Sequence, residues 1–268
     1  MRVLCLVSSL IVFPIASIPS FATEFSYPQY LNPVSTGENS SDSTLDLVAS
    51  VNGTWIAIWI TIEGNPAPHG RDKDLLYSRS IDNGVTWSTP QYLNSNPESD
   101  THNDDLAQIA TDGNGTWIAV WTTEEILEDN SNPPDDLVYA VSTDDGVTWS
   151  PQSLVYAAGS SDAIEDRDPT IDTDRAGRWI AVWSVHDENG LGEDDLVYAR
   201  SDDGGSSWST PATLNSYFAS DTGGDSKPNL ATDRAGNWVV VWHSGNSFGG
   251  SLGSGRDIVA ARSTNHGI

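Results

Sequence analysis

The sequence predicts an all-β protein, a β-propeller of four-stranded antiparallel blades. Three observations carry this. First, an octapeptide of the form Ser-x-Asp-x-Gly-x-x-Trp is complete three times, at Ser80–Trp87, Ser142–Trp149 and Ser201–Trp208, with a partial fourth copy at Ser263–Gly267. Second, a Trp-rich run keeps the same period: Trp55–Trp59, Trp117–Trp121, Trp179–Trp183 and Trp238–Trp242, in steps of 62, 62 and 59 residues. A fixed period of this kind is the signature of a repeat architecture. Third, short β-rich runs divided by turn signals fill each unit, and no stretch has helical periodicity.

The first strand of a unit is exemplified by Leu106–Thr111, Thr170–Thr173 and Asn229–Thr232. A tight turn follows, Asn52-Gly53 or Asn114-Gly115, or Arg-Ala-Gly at Arg175–Gly177 and Arg234–Gly236. Asn-Gly between β-rich runs signals a hairpin because both residues accept positive φ. The Trp-rich run is the second strand. Its Trp, Ala and Trp point one way and its Ile or Val residues the other, so both faces are expected to be buried. The third strand is Leu75–Arg79, Leu137–Val141, Leu196–Arg200 and Ile258–Arg262, each preceded by an aspartate: Asp74, Asp136, Asp195 or Asp257. The fourth carries Pro-x-x-Leu, as in Pro90–Leu93, Pro151–Leu154 and Pro211–Leu214. Four such strands per repeat make propeller blades. An unmatched fourth strand, Pro28–Leu31, precedes the first unit and is expected to close the last blade, giving about four blades. The alternative is part of a larger, six-bladed ring.

Arg2, the apolar run to about Ile18 and the small residues before Thr23 predict a signal peptide over 1–22, cut after about Ala22. The propeller domain is then 23–268, secreted or periplasmic. Cys5, the single cysteine, lies in the leader, so no thiol or disulfide is expected afterwards. Removal of the leader takes away Arg2 and no acid, moving the net charge from −26 to −27. Such a surface repels nucleic acid and anionic membranes, and no membrane insertion is expected.

The octapeptide resembles the Asp-box, or bacterial neuraminidase repeat, of the sialidase family, and the resemblance covers residues 28–268. It implies that each box is the turn between the third and fourth strands, on the rim away from any active site. The box residues Ser80, Asp82, Gly84, Trp87, Ser142, Asp144, Gly146, Trp149, Ser201, Asp203, Gly205 and Trp208 are accordingly structural. The chemistry agrees: the aspartates can accept turn amide hydrogen bonds, the glycines supply left-handed positions, and the tryptophans cover the hairpin. All eleven tryptophans fall at repeat-locked positions, which disfavours a sugar-stacking platform.

Sites are expected where the copies diverge, on the rim built from the long loops between fourth and first strands and between second and third strands. Four of the five histidines fall there (His69, His102, His186 and His243) at inequivalent positions without ligand spacing, so no metal site is predicted. No cofactor is expected, and the many carboxylates leave calcium as an option. Family sialidases hold a carboxylate with three arginines and use a tyrosine nucleophile activated by a glutamate. The family's aromatic-Arg-Ile-Pro motif is absent here; Arg167-Asp168-Pro169 is its nearest echo. By this resemblance Arg71, Arg167, Arg256, Tyr156 and Tyr217 are candidate ligand-binding residues, with Glu165 or Glu188 as tyrosine partners. No residue is assigned a catalytic role. The resulting reading is a secreted, sialidase-like propeller that binds a glycan or other extracellular ligand on its variable-loop face. The alternatives are an exo-α-sialidase-type glycoside hydrolase and a protein-interaction scaffold. Oligomeric state is left open.

Overall fold

The computed structural model describes residues 26–31, 41–62, 72–94, 102–124, 135–156, 164–187, 194–214, 223–245, 255–265 and 267. The leader over 1–22 lies outside them. The chain divides into one unit of residues 1–30 and another of 31–268. Residues 26–30 of the first carry no regular structure.

The second unit is all strand. The first sheet is β1 (Ser41–Ala49), β2 (Trp55–Ile62), β3 (Lys73–Ser80) and β4 (Gln91–Tyr92), hydrogen-bonded in that order. The second repeats it with β5 (Asp104–Thr111), β6 (Trp117–Thr123), β7 (Asp136–Ser142) and β8 (Ser153–Leu154). The third has β9 (Ile164–Thr173), β10 (Trp179–Asp187), β11 (Asp194–Ser201) and β12 (Ala212–Thr213). The fourth has β13 (Asp225–Thr232), β14 (Trp238–Ser244) and β15 (Asp257–Ser263). All pairings are antiparallel.

The second strands set the packing as their alternation predicts. Trp117, Ala119 and Trp121 share a core with Ile56, Ile58 and Ile60 of the first sheet. Ile118 and Val120 face Trp179, Ala181 and Trp183 of the third. Ile180 and Val182 face Trp238, Val240 and Trp242 of the fourth. Trp117 and Trp121 on one face of β6 and Ile118 and Val120 on the other are all 0% exposed, so both faces are interior, whereas in β14 Val239 and Val241 are exposed. Successive sheets also touch through their first strands, β1 with β5, β5 with β9 and β9 with β13.

The blades are those expected, but the ring is not closed among the described residues. Residues 28–31 form no strand. Leu31 packs with Ala57 and Trp59 of the first sheet, and the fourth sheet stays three-stranded. The two outermost faces carry exposed apolar side chains, Leu45 and Leu47 on the first sheet and Val239, Val241 and Ile258 on the fourth.

Each box occupies the turn between third and fourth strands, and its hydrogen bonds repeat. Ser142 Oγ donates to Asp144 Oδ1 (2.8 Å) and accepts from Gly146 N (2.9 Å). Asp144 accepts from Thr148 N (2.9 Å) and Thr148 Oγ1 (2.6 Å). The Ser80 and Ser201 boxes do the same. These bonds to the charged form hold the Asp82 and Asp144 carboxyls down at about 2.

Two details exceed the sequence reading. Gly146 sits at φ 79° and a Cβ there would overlap the Ile56 Cδ1 methyl of the preceding sheet; Gly205 stands likewise over Ile118. The box glycine is therefore a contact between sheets as well as a turn residue. Trp149 and Trp208 also reach beyond their own hairpins, meeting Tyr77 and Tyr139 of the preceding sheet edge-on.

The turns between first and second strands lie on the same rim, since Asp145 N donates to Gly115 O (2.9 Å) and Asn83 N to Gly53 O. Gly53 and Gly115 take positive φ while Asn52 and Asn114 do not. The first of these turns is held by Ser50 and Asn52, and the other three are organised by an aspartate. Asp112, Asp174 and Asp233 each accept backbone hydrogen bonds from two and four residues on.

Candidate functional site

On the opposite rim, three first strands carry the same irregularity at the same place. Opposite Trp121 stand two residues, Leu106 and Ala107, before pairing resumes at Gln108 and Val120. Asp168 and Pro169 oppose Trp183 in the same way, as Lys227 and Pro228 oppose Trp242. Each is a β-bulge whose first residue is left-handed: φ is 54° at Leu106, 49° at Asp168 and 54° at Lys227. That conformation costs a side-chain-bearing residue about 1–2 kcal/mol, and a bulky leucine there is a marked outlier. Threefold repetition of such strain in non-glycine residues is the pattern of a built site.

The bulges converge. Leu106, Asp168 and Lys227, with Gln108, Thr170 and Asn229, line a pocket of about 210 Å³ where the first strands of three sheets come together. The lining offers a carboxylate, an ammonium, two amides and a hydroxyl beside the Pro169 and Pro228 rings. Such a mixture of donors and acceptors matches a ligand rich in hydroxyl groups.

Beside the bulge of the third sheet lies a charged cluster. Arg167 Nε donates to Glu165 Oε1 (2.8 Å) and its Nη2 pairs with Glu165 Oε2. Its Nη1 is 3.6 Å from Asp194 Oδ1, which also meets His186 Nδ1 at 2.7 Å. Lys73 of the first sheet pairs with Asp105 of the second, where Asn103 Nδ2 also donates to Glu124 Oε2 (2.8 Å). Asp135 feels both groups. Burial, then the carboxylates of Glu124 and Glu165, push its carboxyl up to about 6, against the opposing pull of Arg167. Near neutral pH Asp135 therefore holds its proton part of the time, while Glu165 stays engaged by a cation. Among the described residues no set of three or more side chains is arranged to hold a metal ion.

Three of the five predicted ligand residues lie among the described residues. Arg167 is in the cluster, about a third exposed and tied to two acids. Arg256 is exposed beside β15, and Tyr156 is exposed after β8. Arg71 and Tyr217 lie outside the described residues, as do His69 and Glu188. The structure adds Leu106, Lys227 and Asp135, which sequence reasoning passed over. A signal for two bulges was present, since Pro169 and Pro228 hold the same place in successive repeats and each follows a bulge residue. Asp74, at a third-strand start, is buried and accepts from Asn94 Nδ2 (2.9 Å), the structural part expected of it.

No protein-family model matches the chain, and no curated protein sequence does. Solved structures do match. A sialidase from a Hadza microbial source superposes with a TM-score of 0.57 at 19% identity, over 84% of this chain and 45% of that one. The α-L-arabinanase of Penicillium chrysogenum, complexed with arabinobiose, gives 0.53 at 18% identity, over 82% and 62%. The leech intramolecular trans-sialidase gives 0.57 at 12% identity, over 85% and 50%. The chain thus spans about half to two thirds of the length of these structures. At such identities the likeness is one of fold: the sheets of this chain resemble the blades of β-propellers.

Proposed function

We propose that this chain is an exported β-propeller that binds a glycan at the bulge pocket and the adjoining Arg167 cluster, and that its ligand is a neutral sugar. The observation that carries the reading is the engagement of Arg167 by Glu165 and Asp194. A sialoside carboxylate needs a cation free to make charge-assisted hydrogen bonds. Here the Arg167 guanidinium, beside the bulge of the third sheet, is paired within the protein, and Glu165, Asp194 and Asp135 supply negative potential around it. A neutral polyol avoids that repulsion and uses the amides, hydroxyl and carboxylate of the pocket. The arabinobiose bound by the Penicillium neighbour is a ligand of this class. Calorimetric titration of the mature chain with neutral oligosaccharides and with 3′-sialyllactose tests the reading. Binding is expected for the neutral set and is expected to fall at least tenfold in Lys227→Ala. Tighter binding of the sialoside, lost in Arg167→Ala, would overturn it.

A second reading rests on Asp135. A carboxyl held near 6, with Glu165 among the carboxylates that raise it, offers the proton donor that glycoside hydrolysis asks for. If the chain is a hydrolase, reducing ends appear from a neutral glycan. Activity then falls by a factor of about 10² or more in Asp135→Asn.

A further inference from the structure

The chain has Asn-Gly at four places, and three of them, Asn52-Gly53, Asn83-Gly84 and Asn114-Gly115, lie among the described residues, all on the box rim. The pair carries its own chemistry. A glycine amide nitrogen can attack the side-chain carbon of the asparagine before it, because glycine has no Cβ to shield the approach. Two conditions govern the step in a folded chain. The carboxamide must be free to swing back along the backbone, and the glycine N–H must not be held in a hydrogen bond.

The first two pairs fail these conditions. Asn52 Oδ1 accepts from Thr54 N (3.1 Å) and from Ser50 Oγ, and its Nδ2 donates to Asp145 Oδ2 (3.4 Å). Gly53 N donates to Ser50 O (3.3 Å). Gly84 N donates to Ser80 Oγ (2.9 Å), one of the repeated bonds of the box.

Asn114-Gly115 meets both. The Asn114 side chain is exposed, and neither it nor Gly115 N has a hydrogen-bond partner among the described residues. Asp112 Oδ1 accepts from Asn114 N (2.7 Å) and Thr116 N (3.1 Å), so the amides on either side are held while the one between them is left. A Cβ built on Gly115 would find nothing nearer than 3.8 Å, so the space around that residue is open. The turn does not require asparagine, since Ala176 and Ala235 precede the matching glycines of the third and fourth sheets.

We propose that Asn114 is a self-modifying site, converted to an aspartyl or isoaspartyl residue while the fold protects Asn52 and Asn83. Gly115 N bonds to Asn114 Cγ, the Cγ–Nδ2 bond breaks, and ammonia leaves with the proton from Gly115 N. Water then opens the cyclic imide. Opening at Cγ restores the ordinary backbone with a side-chain carboxylate, and opening at the backbone carbonyl carbon leaves the chain running through Cβ. Either product adds a negative charge beside Asp112. The isoaspartyl form also lengthens a turn whose Gly115 O accepts from Asp145 N (2.9 Å). The modification therefore acts on the tie between turn and box, on the rim away from the bulge pocket.

The test holds the full 268-residue chain in warm, mildly alkaline buffer, folded and, in parallel, unfolded in guanidinium chloride. Peptide mapping by mass, with enzymatic methylation of isoaspartyl residues, follows positions 52, 83 and 114. In the folded chain, conversion at 114 should run at least about tenfold ahead of the other two, the factor that one or two retained hydrogen bonds imply. In the unfolded chain the three rates should converge. Asn114→Gln should keep the fold and lose conversion at 114, because the larger ring that glutamine must close forms slowly. Equal or faster conversion at 52 or 83 in the folded chain would overturn the proposal. So would a ranking that persists in denaturant, since local sequence and not the fold would then set it.

Discussion

The two rims of the molecule are built from one repeat and treat it differently. On the box rim each copy places serine, aspartate and glycine in the same bonds, and the result is adhesion between neighbours. Asp145 is the fullest case: it accepts from Thr54 Oγ1 (2.6 Å), Trp117 Nε1 (3.2 Å) and Arg79, tying the first sheet to the second. On the loop rim three copies share a bulge whose leading residue differs. The residue at its head is leucine in one, aspartate in the next and lysine in the third. Uniformity on one side carries stability, and variation on the other is available for recognition.

That contrast can be broken at its strong end first. Trp149→Ala should cost about 3–5 kcal/mol in urea unfolding, because it removes a ring shared by two sheets. An unchanged midpoint would mean that the rim does not hold the blades. Gly146→Ala comes next, at about 2–3 kcal/mol, from left-handed strain added to the overlap with Ile56. Gly84→Ala sharpens this comparison. A Cβ at Gly84 meets only Trp87 at 3.8 Å, so the variant should lose only the strain portion, about 1 kcal/mol. Equal losses at the two sites would show that the contact between sheets contributes nothing.

The rims should also answer acid with opposite signs. Asp82 and Asp144 have carboxyls held at about 2, below the ordinary 3.8. Their contribution is present in full above pH ~4 and is lost as pH falls toward about 2. Asp135 is raised to about 6, so between 3.8 and 6 the folded state binds the extra proton. Its contribution therefore weakens the fold as pH rises through that window. Unfolding curves from pH 3.5 to 7 should show this component, on the order of 1 kcal/mol, disappear in Asp135→Asn. The smallest effect is expected at Arg167→Ala, within about 1 kcal/mol of wild type, since its ion pairs are partly exposed. A larger loss there would make the loop rim a structural element after all.

The architecture was legible because it is written several times. The Trp-x-x-x-Trp runs alternate, the box residues recur in step, and the aspartates of the boxes have one evident task. The site was less legible for a physical reason. A bulge is a property of register between two strands, and nothing in Leu106-Ala107 or Lys227-Pro228 taken alone announces it. The lifted carboxyl of Asp135 likewise depends on Glu124, brought close by the β6–β7 pairing, and on Glu165 of the next sheet, close only once the sheets pack. At Arg167 nothing in the sequence signalled that Glu165, two residues away on β9, engages the guanidinium.

The outermost sheets present Leu45 and Leu47 at one end and Val239, Val241 and Ile258 at the other, and β15 is a bare strand edge among the described residues. Such surfaces invite copies to adhere. The formal charge of −26 opposes this by mutual repulsion. The repulsion acts over about 10 Å at 0.1 M salt and about 3 Å at 1 M. The chain is in this sense a charged colloid with two sticky ends: salt that would loosen an assembly built on ion pairs should drive this one to associate.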